Sequence, residues 1–308
     1  MNVWSLVEGH WRRGDIADAS GCWYNVVGDE AELHALAERY SLHPLSVEDC
    51  LSTQLHAPKI DEFQDHLFMV VYAFEPGASG PEAVELDIFL GADFLITYQD
   101  DQIPATRAVA ERLERGLTVR PGFDGLYYEV ADVLTDAILA QVNTLSERLD
   151  GIQDALLERP GSEYNRATLA LRARAGRVRR LVIPQLAAMQ RLSRGEFEMV
   201  NEANRIYFRD IYDHLVRVDI ALETLREDSE VALNTYLSVL NNRMNEVMKV
   251  LSVVSALALP AVVITGVFGT NFDNVPGLHS NWGFLTMMGS MVGIAASLAY
   301  YFRRKGWF

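Results

Sequence analysis

Eight positions towards the C-terminus carry the pattern richest in chemistry. Asn234, Ser238, Asn241, Asn245, Met248, Ser252, Ser255 and Leu259 follow one another at intervals of 4, 3, 4, 3, 4, 3 and 4 residues. Alternating threes and fours place side chains along one seam of a helix that faces other helices. A dry seam is filled with leucine and isoleucine, whereas this one is filled mainly with amides and hydroxyls. Two arrangements satisfy such groups. Several copies of the helix can surround a water-filled lumen, because polar groups at membrane depth must face protein or water. Alternatively, they can hydrogen-bond across a solid bundle in which small residues allow close approach. In the first arrangement Met248 and Leu259 form apolar constrictions, which can gate by dewetting.

The elements around the seam are apolar. No charged residue occurs from Val250 to Phe268, or again from Trp282 to Phe302. Each stretch is long enough to predict a membrane-spanning helix. The connection 269–281 is short and has no Lys or Arg, whereas Lys249 precedes the first span and Arg303, Arg304 and Lys305 follow the second. The positive-inside rule therefore predicts cytoplasmic termini and an external loop. Neither span contains Asp, Glu, His or Cys, the ligands a path that strips and binds a metal would use. An ion travelling here is expected to keep much of its water, and Mg²⁺ gives up its water reluctantly. Two spans per chain cannot enclose a path, so a conducting form must be an oligomer around the seam.

Upstream, no strong helix breaker separates Gly195 from Pro260, and apolar residues recur at Val200, Tyr207, Ile211, Leu215, Val218, Leu222 and Leu225. This predicts one continuous helix from about Phe197 to Phe268, roughly 105 Å long, with residues 196–249 as a cytoplasmic stalk. Residues 125–195 read as a helical hairpin. Its first arm carries Glu129, Asp132, Asp136, Glu147, Asp150, Asp154 and Glu158; its second carries Arg166, Arg172, Arg174, Arg177, Arg179, Arg180, Arg191 and Arg194; Pro160-Gly161-Ser162 lies between them. These charges either pair between or around the helices, or attract and repel cations. Residues 1–124 read as an α/β domain. A helix spans Glu32–Tyr40, and strands Asp65–Phe74 and Glu85–Tyr98 follow, the latter turning at Gly91-Ala92-Asp93; further helices begin at Ile103. The expected fold class is an α+β membrane protein. An α/β cytoplasmic domain, a helical hairpin and a long stalk lead into spans 250–268 and 282–302, with a basic tail at 303–308.

The formal charge of −15 with a mean hydropathy of +0.03 fits a large acidic portion joined to a short apolar one. Acidity excludes nucleic acid as a natural partner; it suits either solubility or the concentration of cations. Cys22 and Cys50 have no CxxC spacing, so a reducing compartment is expected, and the N-terminal residues predict no cleaved leader. His43, Glu48, Asp49 and Cys50 form a soft-metal cluster or, more economically, cap and pack a helix start. His56, His66 and His214 lack metal-ligand spacing. No Walker loop, HExxH or nucleophile elbow occurs, so neither an enzyme nor a cofactor is expected.

Several motifs together carry a resemblance. They are Asn245-Glu246-Val247-Met248-Lys249-Val250-Leu251 before the membrane, Pro260 within the first span, Gly269-Thr270-Asn271 after Phe268, and the tail Arg303-Arg304-Lys305. With Leu42–Asp49 and the segment Phe89–Tyr98, they resemble the CorA family of divalent-metal transporters over nearly the whole chain. The resemblance implies a homopentamer in lipid at the bacterial inner membrane. It would pass Mg²⁺, with Co²⁺ or Ni²⁺ as further ions, and be gated by cytoplasmic metal bound between subunits. It also implies an outer ring formed by Asn271, and places Asp210 near a regulatory metal ligand. The family signature is Gly-Met-Asn, and Thr270 departs from it. Proton-coupled Zn²⁺ transport belongs to the same family and is a second reading. A non-conducting, membrane-anchored metal sensor or scaffold is a third, favoured by Thr270 and by the single acid in the outer loop 272–277.

Overall fold

The computed structural model describes the chain except residues 17–18, 53, 78–79, 159–160, 272–274, 278–279 and 308, and the side chains of residues 76–81 and 157–160. It contains two compact units, Met1–Leu233 and Asn234–Phe308.

In the first unit, seven strands form one sheet: β1 (Asn2–Val7), β2 (His10–Arg13), β3 (Cys22–Val27), β4 (Lys59–Glu62), β5 (His66–Gly77), β6 (Gly80–Gly91) and β7 (Phe94–Gln99). Their order is β2-β1-β3-β7-β6-β5-β4. The β3–β7 pair is parallel and the other described pairs are antiparallel. Strands covered on both faces read as continuous apolar runs; accordingly Leu67–Phe74 of β5 and every residue of β7 are buried. The two expected strand segments are β5 and the pair β6–β7, and Gly91-Ala92-Asp93 lies between the latter. Strands β1–β4 are not among the expected segments. They are short, and β3 is interrupted by Asn25, a polar residue tolerated in the core because its Oδ1 accepts from Thr97 Oγ1 and Gln99 Nε2. Beyond the reach of β4, the Tyr72 N–H of β5 donates instead to Gln185 Oε1 at 2.9 Å, so the strand's free edge is satisfied from a helix.

The helices are α1 (Glu30–Tyr40), α2 (Pro44–Cys50), α3 (Pro104–Glu114), α4 (Phe123–Glu158), α5 (Ser162–Arg194), α6 (Arg205–Phe268) and α7 (Gly283–Arg304). His43 is the N-cap of α2, where its Nδ1 accepts from the Leu45 N–H at 3.3 Å. The capping reading of the 43–50 cluster therefore describes His43. Helix α4 lies against β5, β6 and β7 and packs on α5. The central Pro160 of the expected hairpin turn lies outside the described residues.

Helix α5 runs antiparallel to α6, since Arg172 pairs with Glu230 while Arg179 pairs with Asp219 and Glu223. Among the described residues Arg172 and Arg179 of α5 thus pair with α6 and Arg191 with Glu196 beyond the end of α5, not with the acids of α4; Glu129 of α4 pairs with Arg112 of α3 at 2.9 Å. These pairs are part-exposed and contribute about 0–1 kcal/mol each; they set helix register more than stability.

The long helix begins later than the apolar periodicity predicts. Gly195 ends α5 in the left-handed region (φ 69°), which only glycine enters at little cost. Phe197 is buried beneath the Arg191 guanidinium, and Asp124 accepts from the Asn201 N–H at 2.8 Å. These contacts hold residues 195–201 out of helical geometry. One 3-10 turn, Glu202–Asn204, then leads into α6 at Arg205. The 64 residues of α6 span about 96 Å.

In the second unit, the C-terminal part of α6 and all of α7 are apolar enough to cross a bilayer, with mean hydropathies of 2.3 and 1.4, and 6% of each apolar window is buried within one chain. They are two candidate membrane helices whose apolar surfaces await lipid or other copies. Lys249 Nζ donates to the Gly306 carbonyl at 2.9 Å and stands 6.0 Å from the Trp307 ring. The basic start of the first span and the tail after the second therefore meet at one end.

Candidate functional site

Three groups of residues are candidates: the seam, the end of α6, and a cluster of metal-binding side chains in the first unit. Every seam residue, from Asn234 through Asn241, Asn245, Met248, Ser252 and Ser255 to Leu259, lies in α6 and is exposed in the single chain. From Val250 onward the α6 residues withdrawn from solvent are different ones: Val253, Ala256, Leu257, Pro260, Ala261, Ile264 and Phe268. At about 100° per residue these occupy another face of the helix. Leu251 is exposed and, three residues after Met248 and four before Ser255, flanks the seam beside both. The Ser252 hydroxyl donates to the Met248 carbonyl at 2.7 Å, so its oxygen retains acceptor capacity outward. Pro260 sits within the continuous helix. It has no N–H to give to the Ala256 carbonyl.

Helix α6 stops at Phe268. The Gly269 N–H bonds the Thr265 carbonyl at 2.8 Å, and the Thr270 hydroxyl folds back onto the Val267 carbonyl at 2.8 Å. A Cβ on Gly269 would approach the Thr265 carbonyl to 3.0 Å, so the small residue suits this tight closure. Thr270 is thereby used as a local cap, and Asn271 follows it as an exposed amide. Amide oxygens accept hydrogen bonds from water. Of the expected outer loop, residues 272–274 lie outside the described residues.

The third group is a meeting of α4 with α6. Tyr128 stacks near Tyr207 at 5.3 Å and Tyr127 near Phe208 at 5.7 Å. One turn further along both helices, ligand atoms of Asp132, Asp210 and His214 lie within 4.8 Å of one another. His214 Nε2 is 3.8 Å from Asp210 Oδ1. Burial raises the Asp132 carboxyl from its ordinary pKa; Asp136 and Glu129 add to this, while His214 opposes it. Two carboxylates and an imidazole in this arrangement suit a divalent cation, which would relieve their mutual repulsion. Of the three, only Asp210 is marked by the family resemblance; His214 lacks metal-ligand spacing in the sequence, and Asp132 is one of a stripe of acids. The i,i+4 step from Asp210 to His214 was the available signal; the third ligand comes from another helix, which no local spacing reveals.

Residues 18–304 match the family model described as CorA-like Mg²⁺ transporter protein. The chain belongs to the CorA family. It is 28% identical over 291 residues to the cobalt/magnesium transport protein CorA of Thermotoga maritima, covering 92% of this chain and 83% of that one. It is 23% identical over 293 residues to the zinc transport protein ZntB of Yersinia enterocolitica, covering 93% and 88%. The fold matches the complete structure of the CorA magnesium transporter from Methanocaldococcus jannaschii with a TM-score of 0.88 at 22% identity, over 100% of this chain and 98% of that one. As a CorA-family member the protein belongs among transporters and not enzymes.

Proposed function

We propose that this CorA-family chain is one subunit of a homopentameric channel that carries hydrated divalent cations, Mg²⁺ foremost, into the cytoplasm across the inner membrane. Co²⁺ and Ni²⁺ are further candidate ions, and both termini are cytoplasmic in this reading. The observation that carries it is the exposed seam of amides and hydroxyls on α6, which enters an apolar segment free of metal-stripping ligands and leads towards the exposed amide of Asn271. Such a surface in lipid needs water or sister helices. Five sister seams around water meet that need and offer hydrogen-bond acceptors to an intact hydration shell.

An inside-negative potential supplies the drive. At about 2.3 kcal/mol per charge per 100 mV, a dication gains about 4.6 kcal/mol on moving inward, so no nucleotide site is required. The cluster of Asp132, Asp210 and His214 supplies the feedback: a cation held there ties α4 to α6 and favours the closed state as cytoplasmic metal rises.

The test is influx into liposomes containing the purified full chain, driven by a potassium diffusion potential. External cobalt(III) hexaammine, whose ligands do not exchange, should block Mg²⁺ influx, because the site recognises a complete first shell. The similarity to zinc transporters supports a second reading. Zn²⁺ influx that excludes Mg²⁺, requires a proton gradient and ignores the complex would establish that reading instead. No flux of any divalent ion would favour a sensor or scaffold.

A further inference from the structure

A second concentration of acids lies on the sheet, in the first unit, and neither the ion path nor the α4–α6 cluster uses it. A cavity of about 370 Å³ opens between the end of α2, the β5–β6 hairpin and the end of β7. Six carboxylates line it, those of Glu75, Glu82, Glu85, Asp87, Asp100 and Asp101, and no lysine, arginine or histidine is among its described lining residues. Acids alone do not make a site, since exposed acids are solvated at little cost. Asp87 is different. It is 4% exposed, it lines the cavity, and its Oδ1 has no hydrogen-bond partner among the described residues. A buried polar atom without a partner is costly and rare. Glu85 beside it is satisfied: it accepts from the Tyr72 hydroxyl at 2.6 Å, the His56 N–H at 3.0 Å and His56 Nδ1 at 3.2 Å. Burial, reinforced by Glu85 and opposed by the Cys50 side chain, holds the Asp87 carboxyl well above the usual range, and a cation in the cavity would favour its ionised form.

We infer that this cavity is a separate binding site for a hydrated divalent cation, with Asp87 at its floor and Asp100 and Asp101 on its exposed rim. Size and spacing decide between hydrated and bare ions. Six waters at about 30 Å³ each occupy about 180 Å³, so a hydrated ion fits with room for bridging waters. A bare ion needs ligands drawn close. Among the described residues, three such ligand atoms within 4.8 Å occur only at Asp132, Asp210 and His214. The cavity therefore suits an ion that keeps its water, which is the behaviour of Mg²⁺. This inference is independent of whether the chain conducts.

The test uses the full chain in detergent carrying Asp132→Asn and Asp210→Asn, which removes the α4–α6 cluster from the measurement. Mg²⁺ binding is followed by equilibrium dialysis. A local readout is the rate at which Cys50, which lines the cavity, reacts with a small thiol reagent after Cys22→Ser. Mg²⁺ should slow that reaction at least severalfold. Neutralising the rim with Asp100→Asn and Asp101→Asn should weaken the Mg²⁺ that protects Cys50 by about 50-fold, for two charges about 7 Å from a dication in water. Asp87→Asn should also abolish protection; because it alters a buried position, the rim variant keeps the test decisive if that protein fails to fold. Cys50 reactivity indifferent to Mg²⁺, or unchanged Mg²⁺ protection in the rim variant, overturns the site. Protection by spermidine and not by Mg²⁺ overturns the metal assignment.

Discussion

Replacing Asp210 with Asn tests the proposed metal feedback quantitatively. Ligand atoms of Asp132, Asp210 and His214 lie within 4.8 Å of one another, so an ion equidistant from three at that spacing sits about 2.8 Å from each. A small inward movement, or one bridging water, brings it to bonding distance. Asp210 is 54% exposed, which makes a water-like dielectric appropriate for its share. A dication about 4 Å from that charge centre gains about 2 kcal/mol at a dielectric of 80. Removing the charge without changing the side chain's shape should therefore weaken Mg²⁺ about 30-fold. Asp132 is half-buried, and its substitution by Asn should cost more. His214→Ala should affect Zn²⁺ or Co²⁺ more than Mg²⁺, because imidazole favours the softer ions. The assay is limited proteolysis of the full-length protein in detergent across a Mg²⁺ series. Metal that ties α4 to α6 should protect, with a midpoint about 30-fold higher in Asp210→Asn. An unchanged midpoint in a folded Asp210→Asn protein would refute the cluster as the sensor.

Two further perturbations probe other parts of the chain. Single cysteines at Asn241, Asn245, Ser252 and Ser255, with Cys22 and Cys50 replaced, should react readily with small water-soluble thiol reagents, and cysteines at Val247 and Val254 should react more slowly; equal protection at all six favours a solid bundle. His66 is 2% exposed, stacks on Phe63 at 5.0 Å, and neither ring nitrogen has a partner among the described residues. Burial lowers its pKa below the ordinary 6.5. The folded state thus prefers neutral His66, and that contribution is present above pH 6.5 and lost as pH falls towards the folded pKa. His66→Phe should flatten the fall of Tm between pH 7 and 5, and an unaltered pH dependence contradicts this role.

The features most legible in sequence are those set by local pattern. Uncharged runs of membrane length, a three-four seam and apolar strand runs announce the two candidate spans, α6, β5, β6 and β7 without tertiary information. Features built by contacts between distant residues are not legible in this way. Asn25 reads as a strand breaker until Thr97 and Gln99 supply its partners. The start of α6 depends on Asp124, far away in sequence, capturing Asn201. The α5 arginines could have met α4 or α6, and only packing decides for Asp219, Glu223 and Glu230. For the same reason Asp210 is marked by the family resemblance alone, whereas Asp132 joins Asp210 and His214 only when α4 lies beside α6.

The central claim, passage of a hydrated divalent cation past the amide of Asn271, is tested most directly by Mg²⁺ influx into liposomes with wild-type protein and with Asn271→Ala. Assembly is checked in both by size and by resistance to dissociation. Thr270 is occupied by the Val267 carbonyl, so Asn271 is the signature side chain left to meet the ion's water shell at that end. Wild-type protein should carry Mg²⁺ inward under a negative potential, and Asn271→Ala should lose that flux while assembling normally. Mg²⁺ influx at the wild-type rate through a correctly assembled Asn271→Ala protein would contradict it.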